Sequence, residues 1–267
     1  MAIAPTPAQA YESFMVPFRF QPWARELIDR IPLGDGTRML DIACGTGVVA
    51  REAARRNATA EIAGLDMNPQ MIEVAATRSE EEGLHIAWYV GVADALPFED
   101  GSFDLVTIQQ GFQFFPDKAA ALGEIRRVLY PGGTFALNIW AAHDRQGTSG
   151  VFADSVARVT GAPSMHTPYA MADMDVIADL LTTAGLTVDS IELVEIECTH
   201  SPVEGFVELM LESVSAGVPA MHGRSDEERA ALASAIADDM ADALASYTVG
   251  DWIVTPSTSN IVLSHPA

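Results

Sequence analysis

The sequence predicts an α/β fold: a doubly wound, mostly parallel sheet of seven strands with helices on both faces. Three observations predict it. Between residues 38 and 140 short apolar runs alternate with segments of helical periodicity, and strands alternating with helices at that spacing imply crossover connections and a parallel sheet. The first apolar run ends in a glycine turn, Cys44-Gly45-Thr46-Gly47, that opens the first helix of the series. The chain has 267 residues, 49% hydrophobic and 19% charged, enough to bury one large α/β core or two small ones.

Residues 1–30 carry Tyr11, Phe14, Met15, Val16, Phe18, Phe20 and Trp23, interrupted by Pro17 and Pro22. They read as two short amphipathic helices, an N-terminal helical cap. The core follows over residues 36–142. Arg38 to Ile42 is a strand, the glycine turn leads into a helix through Arg56, and Ile62 to Leu65 is a second strand ending at Asp66. Pro69 opens a helix reaching Glu82, since proline suits a first helical turn. Ile86 to Val90 and Phe103 to Ile108 are the third and fourth strands. A helix over 117–129 stops at Pro131-Gly132-Gly133, and Thr134 to Trp140 is the fifth strand.

Residues 143–197 are read as a polar loop with His143, a helix near 150–160, a loop with Met165, His166 and Tyr169, a helix from Asp173 to Ala184, and a sixth strand from Leu186 to Ile196. The stretch 198–255 is too long for a structureless loop in a compact domain and is read as a C-terminal helical insert. Ser225 with Glu228 forms a capping box ahead of Leu232, Ile236, Met240 and Leu244, which recur every fourth position. The last strand, within 256–267, is centred on Asn260 to Leu263. The whole is expected to form a single domain.

Fifteen basic against thirty-seven acidic side chains leave a net charge of −22, which repels phosphate backbones and anionic lipid. Nucleic acid and membrane are therefore poor partners. No apolar run approaches the ~18 residues of a membrane span. Two cysteines, Cys44 and Cys198, are too few for a disulfide framework, and the N-terminus lacks the basic-then-apolar pattern of a secretory leader. A cytoplasmic location is expected. The sequence does not indicate an oligomeric state.

Gly45-Thr46-Gly47-Val48-Val49-Ala50 has the glycine spacing of a dinucleotide fingerprint, and Asp66 lies about twenty residues on, where an acid can hold a ribose hydroxyl. A nicotinamide oxidoreductase would use the same features. Asp41 decides between cofactors. At the end of the first strand its carboxylate would repel a pyrophosphate and attract a phosphate-free ligand carrying ammonium and sulfonium groups. The loop therefore suits S-adenosylmethionine better than NAD.

The run Leu40-Asp41-Ile42-Ala43-Cys44-Gly45-Thr46-Gly47 resembles motif I of class I S-adenosylmethionine-dependent methyltransferases, with Ala43 where many members have glycine. Gly64-Leu65-Asp66-Met67-Asn68-Pro69 resembles the family's second motif, Gly91 to Phe98 its adenine-binding segment, and Arg127 to Gly133 its turn before strand five. The four motifs stand in family order and spacing, and the whole resembles the small-molecule, type-11 members with their Rossmann-like sheet. The resemblance implies cofactor contacts at Asp41, Ala43, Gly45 and Gly47 in the loop. It places Asp66 on the ribose diol, Met67 against adenine, Asp94 and Ala95 beside the adenine amino group, and Gln109 at the amino-acid end. It makes Tyr11 the cap tyrosine closing over the cofactor.

The acceptor side is less marked. Gln113 follows the fourth strand where open α/β sheets place ligands and is a poor core residue. His143 and His166, in loops after the fifth strand, are the candidate bases, although surface histidines are the commoner case. The neighbouring Phe112, Phe114 and Phe115 fit core packing equally well. No metal ligands are expected, because Gln109 and the 138–142 stretch stand where metal-using relatives carry carboxylates. In the insert, Phe206, Leu209, Met210, Val214, Val218 and Met221 are expected to line an adaptable apolar pocket. The expected function is metal-independent methyl transfer to a small, partly apolar organic acceptor. The alternatives are a nicotinamide-dependent oxidoreductase and a non-catalytic S-adenosylmethionine-binding regulator.

Overall fold

The computed structural model describes residues 6–161, 167–202, 205–214, 221 and 223–267. Its strands form one sheet of eight, ordered β3-β2-β1-β4-β5-β8-β6, with β7 paired to β8. The strands are β1 Arg38–Ile42, β2 Glu61–Asp66, β3 Ile86–Val90, β4 Phe103–Gln109, β5 Leu129–Trp140, β6 Leu186–Pro202, β7 Thr248–Val249 and β8 Trp252–Pro266. The helices between them are α1 Pro7–Ala10, α2 Gln21–Ile28, α3 Val48–Arg56, α4 Pro69–Glu81, α5 Lys118–Val128, α6 Thr148–Thr160, α7 Met174–Thr183, α8 Phe206–Val214 and α9 Asp226–Tyr247. Strands β1 to β5 are mutually parallel, and β8 runs antiparallel to β5 from Phe135↔Ser264 to Trp140↔Ser259. The order reverses beside β1, so β1 and β4 part at the switch point where such sheets receive ligands at their carboxyl ends.

By contacts the chain divides into two compact units. Residues 23–141, 170–194 and 259–267 form the sheet unit, and residues 1–22, 142–169 and 195–258 the other. In the sheet unit, Leu40, Ile42, Val106, Ile108, Phe135, Leu137 and Ile139 point to one face and pack against Leu122 and Ile125 of α5 and Ile177 and Leu181 of α7. Period-two alternation sends Met39, Asp41 and Thr107 to the other face, where α3 and α4 lie. The Trp23 ring of α2 meets Trp140 edge-on at 6.1 Å.

The second unit has its own core, in which Leu232, Ile236, Met240 and Leu244 of α9 bury against Phe152 and Val156 of α6 and Phe206, Met210 and Leu211 of α8. The Ser225 capping box is present, with the hydroxyl accepting from the Glu228 N–H and the Glu228 carboxylate from the Ser225 N–H.

Several elements differ from expectation. The N-terminal segment is not two short helices. A short α1 passes into a π-helix over Tyr11–Phe20 that contains Pro17 and continues into α2. The π ladder, with the Gln21 N–H reaching back five residues to the Val16 carbonyl, runs on past Pro17, which itself has no N–H to donate. Strand β5 begins at Leu129 rather than Thr134, because the Pro131-Gly132-Gly133 turn sits inside it as an irregularity, the register moving from Phe103↔Leu129 to Leu105↔Thr134. The eighth strand is the two-residue β7, a hairpin with the start of β8. Phe206, Met210 and Met221 are at most 4% exposed, so they are core of the second unit rather than pocket lining. Val218 lies outside the described residues.

Candidate functional site

The carboxyl ends of β1, β2 and β4 bring most of the expected residues together in the sheet unit. Asp41, the penultimate residue of β1, is 1% exposed. Its Oδ1 accepts from the Thr107 hydroxyl of β4 at 2.9 Å, and its Oδ2 has no hydrogen bond of normal geometry. Burial pushes the carboxyl up to about 7, with the Asp66 charge adding and the Thr107 hydroxyl and Ala50 N–H opposing. A buried carboxylate lacking a full set of donors is costly unless a cation meets it.

The loop after β1 uses the left-handed region three times, at Ala43 (φ 53°), Gly45 (φ 56°) and Gly47 (φ 82°). Alanine at 43 therefore sits where glycine is unstrained. Gly47 is required twice over, because a Cβ there would also lie 2.2 Å from the Trp88 ring. That ring, reaching from β3 beneath the loop, meets Gly64 in the same way and donates its indole N–H to Ser79 of α4 at 3.0 Å. Asp66 at the end of β2 accepts the Gly45 N–H on Oδ2 and the Asn68 N–H on Oδ1, both at 2.9 Å. Being half-exposed, it keeps lone pairs for a ligand hydroxyl. Met67 beside it is 73% exposed, an apolar side chain that the described residues leave largely uncovered. Asp94 and Ala95 are exposed, in a turn where the Ala95 N–H reaches the Val92 carbonyl.

Beyond β4 the chain folds back onto the loop. A Cβ on Gly111 would stand 2.7 Å from that of Ala43, so the segment after Gln109 packs directly against the left-handed turn. Gln110 adopts φ 57° and is held there by three bonds: its N–H to the Asn138 carbonyl at 2.8 Å, and its Nε2 to Asn138 Oδ1 at 3.1 Å and Ser259 Oγ at 2.9 Å. Gln113, 5% exposed, donates Nε2 to the Gln110 carbonyl at 2.8 Å. Phe112 is core, whereas Phe114 is 55% exposed. Sequence reasoning missed Thr107 and Trp88, and it named Gln110 and Asn138 only within longer segments, with no role of their own. The signal for Thr107 and Asn138 was a polar residue inside an apolar strand.

The second unit holds Tyr11 and His143. The Tyr11 ring lies 5.1 Å from Phe20. His143 has Nε2 3.8 Å from an Asp154 carboxylate oxygen and its ring 6.4 Å from Tyr169. Arg19, buried on the π-helix, donates to Ser149 Oγ and to the Tyr169 hydroxyl, the latter at 3.4 Å. His200, flanked by Phe18 and Phe206, is pushed down to about 3 by burial and by the Arg19 charge, so it stays neutral. Neither Arg19 nor His200 was marked in the sequence. His166 lies outside the described residues. Among them, no helix is long and apolar enough to cross a membrane.

Residues 40–137 match the family model of a methyltransferase domain. Together with the sheet order and the glycine loop, this match supports a class I S-adenosylmethionine-dependent methyltransferase domain. Among curated proteins it is 43% identical over 111 residues to the demethylmenaquinone methyltransferase of Thermus thermophilus, a match covering 42% of this chain and 50% of the relative. The chain therefore spans about half the length of that curated relative. Among solved structures, phosphoethanolamine N-methyltransferase 2 of Haemonchus contortus, bound to phosphomonomethylethanolamine and S-adenosylhomocysteine, aligns with TM-score 0.56 and 23% identity over 92% of this chain and 52% of that one. The 4+2 cyclase SpnF aligns with TM-score 0.59 and 20% identity over 98% and 97%. Likeness at that identity speaks for the fold alone, and one fold serves several chemistries.

The site suits its cofactor. A desolvated carboxylate with an unmatched oxygen at Asp41 and a second acid at Asp66 favour a cationic, phosphate-free ligand over a pyrophosphate.

Proposed function

We propose that the chain transfers a methyl group from S-adenosylmethionine to a small, partly apolar organic acceptor by in-line displacement, without a metal. The observation that carries this reading is Asp41, buried at the end of β1 with one oxygen unmatched. S-adenosylmethionine, when bound, supplies the electrophilic methyl group. In the chain, Asp41 and the Ala43–Gly47 loop hold the cationic amino-acid end together with Gln109, Asp66 takes the ribose diol, Met67 covers adenine, and Asp94 with Ala95 meets its amino group. Tyr11 is assigned to closing over the cofactor and Gln113 to the acceptor side. The amides Gln109 and Asn138 at the strand ends support the metal-independent route, since amides are weak partners for a divalent cation beside carboxylates.

Methyl transfer at a sulfonium needs the acceptor held about 3 Å from the methyl carbon with water kept out. A base matters only where the acceptor carries a proton that must leave. His143, with Asp154 facing its Nε2, can take that proton, and His166 is its competitor. The name of the Thermus relative makes a demethylmenaquinone-type ring the first acceptor class to try.

The test is incubation with methyl-labelled cofactor and three acceptor classes: reduced quinones, phenols and amines. Label in an extractable organic product is expected with at least one class. Tight binding of S-adenosylhomocysteine with no transfer to any of them would favour a non-catalytic cofactor-binding regulator.

A further inference from the structure

Strand β3 ends the sheet order, and among the described residues no strand lies on its outer side. Its backbone direction follows from one bond. The Gly91 N–H turns inward to the Asp66 carbonyl of β2 at 3.0 Å, and strand residues alternate. Ile86, Trp88 and Val90 therefore turn their N–H and C=O groups outward.

Proteins usually blunt such an edge with a lysine, a proline, a bulge or a cover. Residues 86–92, Ile-Ala-Trp-Tyr-Val-Gly-Val, contain no charge and no proline. The register with β2 runs without a bulge from Ile62↔Ile86 to Asp66↔Val90. Tyr89, Val90 and Val92 are 40%, 57% and 43% exposed. A groove of about 680 Å³ is lined by Ile86, Trp88 and Tyr89 of this strand, with Arg38, Glu61 and Glu80 also on its wall.

We propose that the outer edge of β3 pairs with β3 of a second copy of this chain, antiparallel about a two-fold axis at Trp88. Two features single out a second copy as the occupant. First, the edge is complementary to itself. Centring on Trp88 sets Ile86 opposite Val90 of the other copy and Trp88 opposite Trp88, which uses all three outward residues in each strand. Ala87 then faces Tyr89, so every opposed pair is uncharged, and β-branched and aromatic pairs suit such positions. Second, a net charge of −22 makes copies repel across most of their surfaces, and this uncharged strip is where contact costs least. The isologous pairing closes both edges at once. Glu73, Glu80 and Glu81, exposed on the α4 helix that packs on β3, approach their counterparts, so the dimer tightens as salt screens them.

The test is sedimentation equilibrium of the full chain across the micromolar range, at about 0.1 M and about 1 M salt, between which the screening length falls from ~10 Å to ~3 Å. A monomer–dimer equilibrium is expected, with a lower dissociation constant at the higher salt. Val90→Pro removes an outward N–H that the monomer does not use, and Val90→Glu sets a carboxylate against Ile86 of the other copy. Each is expected to weaken the dimer at least tenfold, with far-ultraviolet circular dichroism and melting temperature showing both variants folded. A parent chain that stays monomeric at both salts would overturn the proposal, and so would a dimer that both variants leave intact. If Val90→Pro unfolds the chain, Val90→Glu alone decides.

Discussion

Asp41 concentrates the chemistry of the site in one carboxyl group. In the unfolded chain it ionises near its ordinary value of 3.8, and in the folded chain near 7. Between those values the unfolded state loses a proton that the folded state keeps, so stability falls as pH climbs through the window, by on the order of 4 kcal/mol at its end. Asp41→Asn removes this cost. Urea denaturation should find it more stable than the parent at about pH 8 and level with it near pH 4, while its affinity for S-adenosylmethionine drops. For the parent, binding of the cationic donor should strengthen as pH rises towards 7 and then level off.

The same turn carries two backbone predictions. Ala43→Gly should stabilise by about 1 kcal/mol in thermal melts, since alanine at φ 53° is strained. Gly47→Ala should abolish donor binding, and partial recovery in a Trp88→Phe background would trace part of the defect to the ring 2.2 Å from the added Cβ. At this scale the sequence made Asp41, Gly45, Gly47 and Asp66 legible because their spacing is a motif. Trp88 and Gln110 were hidden, because what matters about them is a partner far along the chain or a dihedral angle.

The strands of the sheet were legible as elements, since apolar runs bounded by turn residues and helices leave few other readings. The capping box at Ser225 was legible for the same local reason: both partners lie within one helical turn and the buried positions of α9 follow at helical spacing. Ser225→Ala should cost about 1 kcal/mol of stability in a melt. Where tertiary packing overrode local signals, the reading failed. Pro17 was taken as a break between helices, yet it sits inside a π-helix. Pro131-Gly132-Gly133 was taken as a turn before a strand, yet β5 runs through it. Phe206, Met210 and Met221 were assigned to a pocket on composition, but apolar composition cannot tell a wall from a core.

At the scale of the whole molecule, charge and cofactor choice dominate. A chain at −22 with a single lysine, Lys118, repels itself when folded, and the melting temperature should rise between about 0.1 M and about 1 M salt as that repulsion is screened. Cofactor choice turns on the glycine loop, which is expected to take S-adenosylmethionine and not a pyrophosphate cofactor. Thermal denaturation in the presence of S-adenosylmethionine, S-adenosylhomocysteine or NAD tests it most directly. A ligand present at a hundredfold excess over its dissociation constant should stabilise the fold by about 2.7 kcal/mol. The two sulfur compounds should raise the melting temperature accordingly and NAD should leave it unmoved. A shift with NAD and none with either sulfur compound would contradict the account.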